Sequence, residues 1–266
     1  MRKSVFMPHV LQAAQQRGGT LRDWLAKTRE LGFEGLECRY AELAPDPEDF
    51  AAMLAEVGLE IACVPYFFEF HKGVDREKVK KVVSDVARAG GRKLLAIPGK
   101  YCDEQPDALE RMVEGLGIAV EEAEKLGITV ALEDFDDVKS PCCSAAGLQY
   151  FFDCVPALKF NLDTGNFLCM DQDVLEQSRP LMARITHVHL KDWSLEPLHP
   201  QERPFCTPGG TELYPSPVGQ GVVPMEGCIA MAKDAGYEGF CSAEHYGAAD
   251  QWDYIVKSAM WMNQYL

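Results

Sequence analysis

The segment EAEKLGITVALE, residues 122–133, joins a helical pattern to a short β-rich run through one glycine, Gly127. Glycine adopts the left-handed conformation that closes many helices, so Gly127 marks the predicted end of the helix. The apolar run after it is typical of a buried strand. Four further segments have the same pattern: KTRELGFEGLECR (27–39), AEVGLEIACVP (55–65), ARAGGRKLLAIP (87–98) and KDAGYEGFCSAE (233–244). The chain is therefore expected to alternate helices with strands.

This alternation continues along the whole chain and predicts eight strands and eight helices. The strands are predicted near residues 4–7, 35–40, 60–67, 93–98, 129–134, 158–163, 184–191 and 239–245. The helices are predicted near residues 20–31, 47–57, 75–89, 106–126, 144–154, 173–183, 224–235 and 250–264. Eight units without a linker match the roughly 250 residues of a (β/α)8 TIM barrel. We therefore predict one α/β domain, a single (β/α)8 barrel over residues 1–266.

The alternative α/β architecture is a doubly wound open sheet. Such a sheet usually carries a glycine-rich phosphate-binding turn after its first strand. Here the first predicted strand is followed by PHVLQAAQQRGG, residues 8–19, which does not fit that fingerprint. The barrel is therefore the better prediction.

Composition and charge limit the partners that we expect. The formal net charge of −15 repels phosphate backbones and anionic lipid, so we expect neither a nucleic-acid nor a membrane partner. No apolar run is long enough to span a bilayer, and the N-terminal MRKSVFMPHV lacks the apolar stretch of a signal peptide. The ten cysteines are scattered and form no CxxC pair, which argues against cysteine-bound zinc and for a reduced, cytoplasmic location.

Three ionisable side chains alternate along one predicted strand, in the segment THVHLK at residues 186–191. Alternate residues of a barrel strand point into the barrel, and catalytic groups gather at the carboxyl ends of the strands. His187, His189 and Lys191 are therefore expected to lie on the inner face, in order toward the mouth of the barrel.

Acidic residues stand at three other predicted strand ends. They are Glu133 in ALEDF, Asp163 in NLDTGN and Glu244 in SAEHYG. Together with His189 they come from four successive strands, so we expect one cluster. Three converging carboxylates would repel one another without a positive charge between them. An imidazole with carboxylate oxygens suits one divalent metal ion such as Mn, Mg, Co or Zn, so the sequence predicts a metal site.

A small and polar layer is predicted directly beneath this cluster. It consists of Ala131, Asn161, His187 and Ser242. Side chains of this kind orient metal ligands by hydrogen bonds. In this interpretation His189 binds the metal, His187 supports it from below, and Lys191 reaches the substrate above.

The motifs LED, LDTGN, HVHLKD and AEH, in this order on the last four predicted strands, resemble the xylose isomerase-like TIM-barrel superfamily. Within it they are most similar to the sugar phosphate isomerase/epimerase group, which includes ketose 3-epimerases and inosose dehydratases. The resemblance covers nearly the whole chain and includes VGQGVVPMEG, residues 218–227, a glycine-rich lead-in to the last unit. It implies that Glu133, Asp163, His189 and Glu244 bind one divalent metal and that the two glutamates also serve as catalytic acid and base.

The sequence also departs from relatives of this kind. Ketose 3-epimerases hold their sugar with a Glu, a His and an Arg at positions that are Lys139, Asn166 and Leu195 here, which disfavours a free ketohexose 3-epimerase. Lys191 instead fits the HxKD pattern of inosose dehydratase-like members. The multi-zinc DNA repair nucleases of the superfamily need more histidines than the six in this chain, which disfavours a nuclease.

Several further residues are candidates for substrate contact. They are Asn166, Lys191, His187, Glu37, His71 and Arg203. Arg203 belongs to a proline-rich segment at about residues 193–223, which is far longer than an ordinary βα connection. Loops of this length at the mouth of a barrel often serve as active-site lids, and a contact in a homo-oligomer is an equally open interpretation.

The functional hypothesis is a divalent-metal-dependent isomerase or epimerase that acts on a small keto-sugar or related polyol. One glutamate would remove a proton next to the carbonyl to give an enediolate, and the other would return it. A dehydratase or lyase acting on an inosose or 3-oxo-glycoside is the alternative, with Lys191 protonating the leaving oxygen. A non-catalytic sugar-binding barrel is a third possibility, although binding alone would not need two bases.

Overall fold

The computed structural model describes residues 1–101 and 105–266 and contains the predicted barrel. Its strands are β1 (Arg2–Phe6), β2 (Gly35–Glu37), β3 (Glu60–Phe67), β4 (Lys93–Ile97), β5 (Thr129–Glu133), β6 (Lys159–Asp163), β7 (Ile185–Ser194), β8 (Phe205–Cys206), β9 (Glu212–Ser216) and β10 (Phe240–Glu244). Strands β1 to β7 pair in parallel in chain order, and β10 closes the barrel by pairing with both β7 and β1. The prediction of a single (β/α)8 barrel is confirmed.

Helices surround the strands on the outside of the barrel. They are α1 (Met7–Arg17), α2 (Leu21–Glu30), α3 (Tyr40–Leu43), α4 (Pro47–Glu56), α5 (Arg76–Arg88), α6 (Ala108–Glu124), α7 (Ala145–Cys154), α8 (Asn166–Cys169), α9 (Val174–Ser178), α10 (Met225–Asp234) and α11 (Gln251–Tyr265). The glycines of the repeated segments have positive φ angles, for example 67° at Gly127 and 75° at Gly236. They close their helices in the conformation expected from the sequence.

Several stretches differ from the predicted helices. The short helices α3 and α8 were not predicted, and two further differences involve a proline. The segment after β1, for which no helix was predicted, forms α1, with Pro8 in its first turn, where a missing N–H is tolerated. The sixth predicted helix is split into α9 and the 3-10 helix Arg179–Arg184. Pro180 lies at this junction and has no N–H to continue α-helical hydrogen bonding.

The long segment between β7 and α10 contains regular structure. Strand β7 extends beyond the barrel and pairs in antiparallel fashion with β9, which in turn pairs with β8. The buried carboxylate of Glu202 anchors the segment, because it accepts hydrogen bonds from the backbone N–H of Leu198 and Ala249 and from the hydroxyl of Tyr254 in α11. The segment is therefore held against the barrel by specific contacts.

The apolar core has two parts. The larger part fills the space between the strands and the helices, and a smaller cluster of Cys63, Leu95, Ile97 and Ala131 lies apart from it. The polar cluster lies at the carboxyl ends of β5, β6 and β10 and on β7 at His189, which pairs with the last residue of β6. None of the helices in the described part of the chain combines the length and apolar character needed to cross a lipid bilayer.

Candidate active site

The four predicted metal ligands converge although they do not share one row of the sheet. Asp163 is paired in register with His189, but Glu133 is paired with Asn161, and Glu244 is paired with Lys191. Because the strands of a barrel are tilted, residues from different registers reach the same height at the mouth. The stagger of the strands therefore assembles the cluster.

The imidazole of His189 is surrounded by the three carboxylates. Its Nδ1 atom lies 2.5 Å from Glu133 Oε1, 3.5 Å from Glu244 Oε2 and 4.0 Å from Asp163 Oδ2. One candidate ligand atom from each of the four residues lies within 4.8 Å of the others. This spacing allows all four side chains to reach one ion.

The hydrogen bonds and the pKa of Asp163 indicate whether a cation fits this cluster. Its Oδ1 accepts hydrogen bonds from the backbone N–H of Gly165 and Asn166, whereas its buried Oδ2 has no hydrogen-bond partner among the described residues. Burial raises the pKa of this carboxyl well above its usual range, and Glu244 and Glu133 raise it further against the opposing effect of Lys191. A divalent cation would pair with the free oxygen and offset the clustered negative charge, so the residues present fit a metal site.

Side chains beneath the cluster hold the ligands in place. Asn161 donates a hydrogen bond to Glu133 Oε1 at 2.8 Å. Glu37 Oε1 lies 3.3 Å from His189 Nε2, and Glu37 Oε2 lies 2.7 Å from His187 Nε2. Burial lowers the pKa of His187 to about 4 despite the nearby Glu37, so His187 is neutral near pH 7. His187 therefore hydrogen-bonds Glu37, whose other carboxylate oxygen lies beside Nε2 of His189.

We expect Glu37→Gln to weaken divalent-metal binding by about 10- to 100-fold, the range typical for residues that orient a ligand. Glutamine keeps the volume of the side chain but removes the charge that faces His189 Nε2. Isothermal titration with Mn²⁺ measures the affinity, and far-UV circular dichroism checks the fold. The control is Glu122→Gln, which changes a buried glutamate that pairs with Arg76 and Lys125 outside the site. Unchanged Mn²⁺ affinity in Glu37→Gln would show that Glu37 does not position His189.

The ammonium group of Lys191 is bound on three sides. Its Nζ atom lies 2.7 Å from Asn166 Oδ1, 3.1 Å from Asp136 Oδ2 and 3.2 Å from Glu244 Oε1. Burial opposes the charge on this side chain, but Glu244, Asp136 and Asp163 hold the pKa of Lys191 well above its usual value. Lys191 is therefore a fixed positive charge beside one oxygen of Glu244.

The cluster lies beside a cavity of about 570 Å³. Its polar lining consists of Arg39, Glu133, Asp136, Asn166, His189, Lys191 and Glu244. The remaining lining is mostly aromatic and aliphatic and includes Phe6, Tyr66, Phe67, Phe135, Trp193, Phe205 and Tyr246. Asp163 is completely buried and does not line the cavity. Glu133 and Glu244 are thus open to a molecule in the cavity, whereas Asp163 is not.

The structure brings some of the predicted substrate-contacting residues to the cavity and not others. Asn166 and Lys191 line it. Glu37 and His187 are completely buried beneath His189 and are not among the residues that line the cavity. His71 is also buried and outside the lining, where its carbonyl accepts hydrogen bonds from Arg111.

Arg203, the remaining candidate for substrate contact, is exposed and does not line the cavity either. Its neighbour Glu202 is turned inward toward Tyr254, which leaves Arg203 at the surface of the inserted segment.

Sequence reasoning missed two acidic residues that organise the site. Asp136 contacts Lys191, and Asp134 accepts a hydrogen bond from the backbone N–H of Asp163. Both belong to the acidic run EDFDD, residues 133–137, at the end of β5. Several carboxylates in a row at the carboxyl end of a barrel strand are the signal that could have identified them.

A closed (β/α)8 barrel with three carboxylates and a histidine clustered at the carboxyl ends of its strands defines a class of TIM barrels suited to metal-assisted chemistry. Within this class the chain belongs to the xylose isomerase-like TIM barrel family, whose sequence model matches residues 25–265. The membership that the sequence motifs suggested is therefore confirmed.

Curated sequence relatives are sugar-phosphate epimerases. The chain is 27% identical over 238 residues to L-ribulose-5-phosphate 3-epimerase UlaE of Escherichia coli O1:K1 / APEC, which covers 81% of this chain and 78% of the relative. It is 27% identical over 263 residues to the UlaE protein of Shigella flexneri, and the match covers 90% of this chain and 86% of the relative.

Solved structures share the fold at lower identity. An L-ribulose 3-epimerase superposes with a TM-score of 0.75 at 18% identity, covering 99% of this chain and 93% of the other. The probable 3-DHS dehydratase AsbF of Bacillus anthracis superposes with a TM-score of 0.74 at 18% identity, covering 99% of both chains. Similar proteins thus include both epimerases and a dehydratase, which supports an enzyme.

Proposed function

We propose that the protein is a divalent-metal-dependent isomerase or epimerase that acts on a keto-sugar or related polyol. One observation carries the proposal: Glu133 and Glu244 both belong to the metal-ligand cluster and both line the cavity, whereas Asp163 belongs to the cluster alone. Two carboxylates open to the same bound molecule suit a reaction in which one base removes a proton and a second group returns it.

The contacts of each glutamate indicate how it is held for proton transfer. Glu133 Oε1 is taken by Asn161 and His189, which leaves Oε2 for a proton of the substrate. Glu244 Oε1 faces Lys191, and its Oε2 faces His189. When a divalent ion is bound by Glu133, Asp163, His189 and Glu244, it supplies Lewis-acid polarisation of a carbonyl oxygen. The glutamates then move the proton on the carbon beside that carbonyl.

Lys191 and Asn166 are the proposed contacts for substrate hydroxyl groups. Both line the cavity, and they are hydrogen-bonded to each other at 2.7 Å. Asp136 holds the same ammonium group from the other side. The three side chains form a polar edge that can orient a sugar against the glutamates.

Incubation of the Mn²⁺-loaded protein with keto-sugars in deuterated water tests this function. We expect a substrate of the enzyme to gain a single deuterium on the carbon beside its carbonyl, with no other change in mass, because the proton exchanges with solvent before it is returned. Mass spectrometry with NMR assignment of the labelled carbon measures this exchange. A panel of ketopentoses, ketohexoses, inososes and 3-oxo-glycosides without any exchange or product would count against the proposal.

A second reaction class is favoured by the position of Lys191. Its ammonium group lies in the cavity lining and 3.2 Å from Glu244 Oε1, where it could protonate a departing oxygen after proton removal by a glutamate. A dehydratase or lyase acting on an inosose or 3-oxo-glycoside would use this arrangement. The same mass spectra distinguish the two classes, because elimination removes water or an aglycone from the substrate.

A further inference from the structure

We infer that the cavity takes an uncharged sugar derivative with an apolar, ring-sized substituent and does not select a sugar phosphate. The inference rests on the proposed function for the identity of the sugar part. The apolar substituent is inferred from the size and lining of the cavity alone. The exclusion of phosphate is inferred from the charged groups in and around the cavity.

The size and lining of the cavity exceed the needs of a single sugar ring. A volume of about 570 Å³ is within the range of about 300–1,000 Å³ found for drug-sized ligands. The hydroxyl groups of a sugar need hydrogen-bond partners, and the charged and amide side chains of the lining, Asp136, Asn166 and Lys191 beside the two glutamates and Arg39, can supply them. The rest of the lining is dominated by apolar groups that cannot satisfy hydroxyls.

Two aromatic pairs form separate parts of this apolar lining. Phe67 at the end of β3 packs edge-on against Phe135, with ring centroids 6.2 Å apart. Trp193 in β7 packs against Phe205 of the inserted segment, with centroids 6.1 Å apart. Phe67 remains 60% exposed although it lines the cavity. Aromatic surface left open inside a cavity is the feature expected where an apolar ligand group is to be buried.

The arginine and lysine side chains that line the cavity are already paired with carboxylates. Among the residues that the structure describes, they are Arg39 and Lys191. The guanidinium of Arg39 contacts Glu42 at 2.9 Å, and Lys191 is bound by Glu244, Asp136 and Asn166. A phosphate dianion would have to compete with carboxylates for both groups.

The backbone groups that bind phosphate in many barrels are also occupied here. TIM barrels often bind phosphate with the loops that follow their seventh and eighth strands. In this chain the carboxylate of Asp192 accepts hydrogen bonds from the N–H groups of Gly219, Gly221 and Val223 in the glycine-rich loop. After the last strand, the side chain of Asp250 caps α11 by accepting from Asp253 N–H. Internal carboxylates therefore occupy the positions that a phosphate would use.

Four probes separate the effects of phosphate and of an apolar group on binding. They are L-ribulose, L-ribulose 5-phosphate, methyl 3-oxo-β-D-glucopyranoside and phenyl 3-oxo-β-D-glucopyranoside, each titrated calorimetrically into the Mn²⁺-loaded protein. We expect the phenyl glycoside to bind at least about tenfold tighter than the methyl glycoside, because it buries more apolar surface. We expect the phosphate to bind no tighter than the free ketose.

A surface variant tests the aromatic lining without disturbing the core. Phe67→Ala removes a ring that is mostly exposed, so the protein should fold normally, and the preference for phenyl over methyl should fall to about threefold or less. Tyr150→Ala is the matched control, because Tyr150 is also an exposed aromatic residue but does not line the cavity. It should keep the full preference.

Any one of three results would overturn the inference. They are equal affinity for the phenyl and methyl glycosides, tenfold tighter binding of the phosphate than of the free ketose, and no binding of the phenyl glycoside at millimolar concentration. Its failure is distinguishable from failure of the proposed function. Deuterium exchange together with a strong preference for the phosphate would retain the function and remove this inference. A phenyl preference lost in Phe67→Ala, without deuterium exchange in any probe, would retain the inference and remove the function.

Discussion

Glu133→Gln and Glu244→Gln should each lower kcat by at least about 100-fold, the lower end of the effect of a positioned acid or base. Glutamine keeps an oxygen that can face the metal and nearly the same volume, but it cannot accept the substrate proton. Both glutamates line the cavity, so each variant loses one of the two proton-transfer groups. Steady-state turnover of the substrate identified by deuterium exchange measures the loss, and Mn²⁺ titration checks that metal still binds.

The two variants should also differ in partial exchange if the enzyme is an epimerase. Each retains one glutamate, and that glutamate can still exchange a proton on its own face of the substrate. Glu133→Gln should then incorporate deuterium into one epimer only, and Glu244→Gln should incorporate it into the other epimer only. Glu122→Gln, outside the site, should turn over at the wild-type rate. Wild-type turnover in both active-site variants with metal bound would exclude the two-base mechanism and leave Lys191 as the candidate for proton transfer.

The fold was predictable because its signals are local. The repeated segments each end a helix at a glycine with positive φ, and that conformation depends on a few neighbouring residues. The convergence of Glu133, Asp163, His189 and Glu244 was predictable for a related reason. Once parallel strands close into a barrel in chain order, the last residues of β5, β6 and β10 and the inner face of β7 must meet at the same end.

The height of each residue in the barrel could not be read from alternation alone. Glu37 was predicted only as a candidate for substrate contact. Strand β2 has three residues, and its pairing with β3 shifts register between Leu36 and Glu37. This register shift lies at Glu37, the residue that contacts His187 and His189 beneath the cluster. The two-residue period of a strand predicts whether a side chain points into or out of the barrel. It does not predict how far along the barrel axis that side chain lies.

Residues on connections were hardest to place because distant contacts fix the path of the chain. After β3, Glu69 adopts a left-handed conformation with φ of 55°, and His71 packs against Gly99 and does not line the cavity. In the long insertion, Trp193 pairs with Pro215, a contact between residues far apart in sequence and without a local turn signal. The proline-rich composition therefore predicted a long connection but not the strands within it.

Asp163→Asn should reduce Mn²⁺ affinity by more than the 10- to 100-fold expected for a residue that only orients a ligand. Asparagine can still accept the hydrogen bonds that Gly165 and Asn166 donate to Oδ1, so the backbone around β6 should stay in place. The change replaces the charged oxygen, Oδ2, which has no partner among the described residues, with an amide that binds a cation poorly. His189→Ala should lose metal as well, because it removes the imidazole nitrogen from the centre of the cluster.

Thermal unfolding separates loss of metal binding from loss of the fold in these variants. A bound ion stabilises the folded state in proportion to the logarithm of its concentration above Kd, so Mn²⁺ should raise the Tm of the wild-type protein. It should leave the Tm of Asp163→Asn unchanged. Without metal, Asp163→Asn should unfold no earlier than the wild type, since it removes a carboxyl group whose charged form is disfavoured by burial and by Glu244 and Glu133. His199→Ala, a histidine outside the cluster, should keep the Mn²⁺ effect, and stoichiometric metal in purified Asp163→Asn would remove Asp163 from the ligand set.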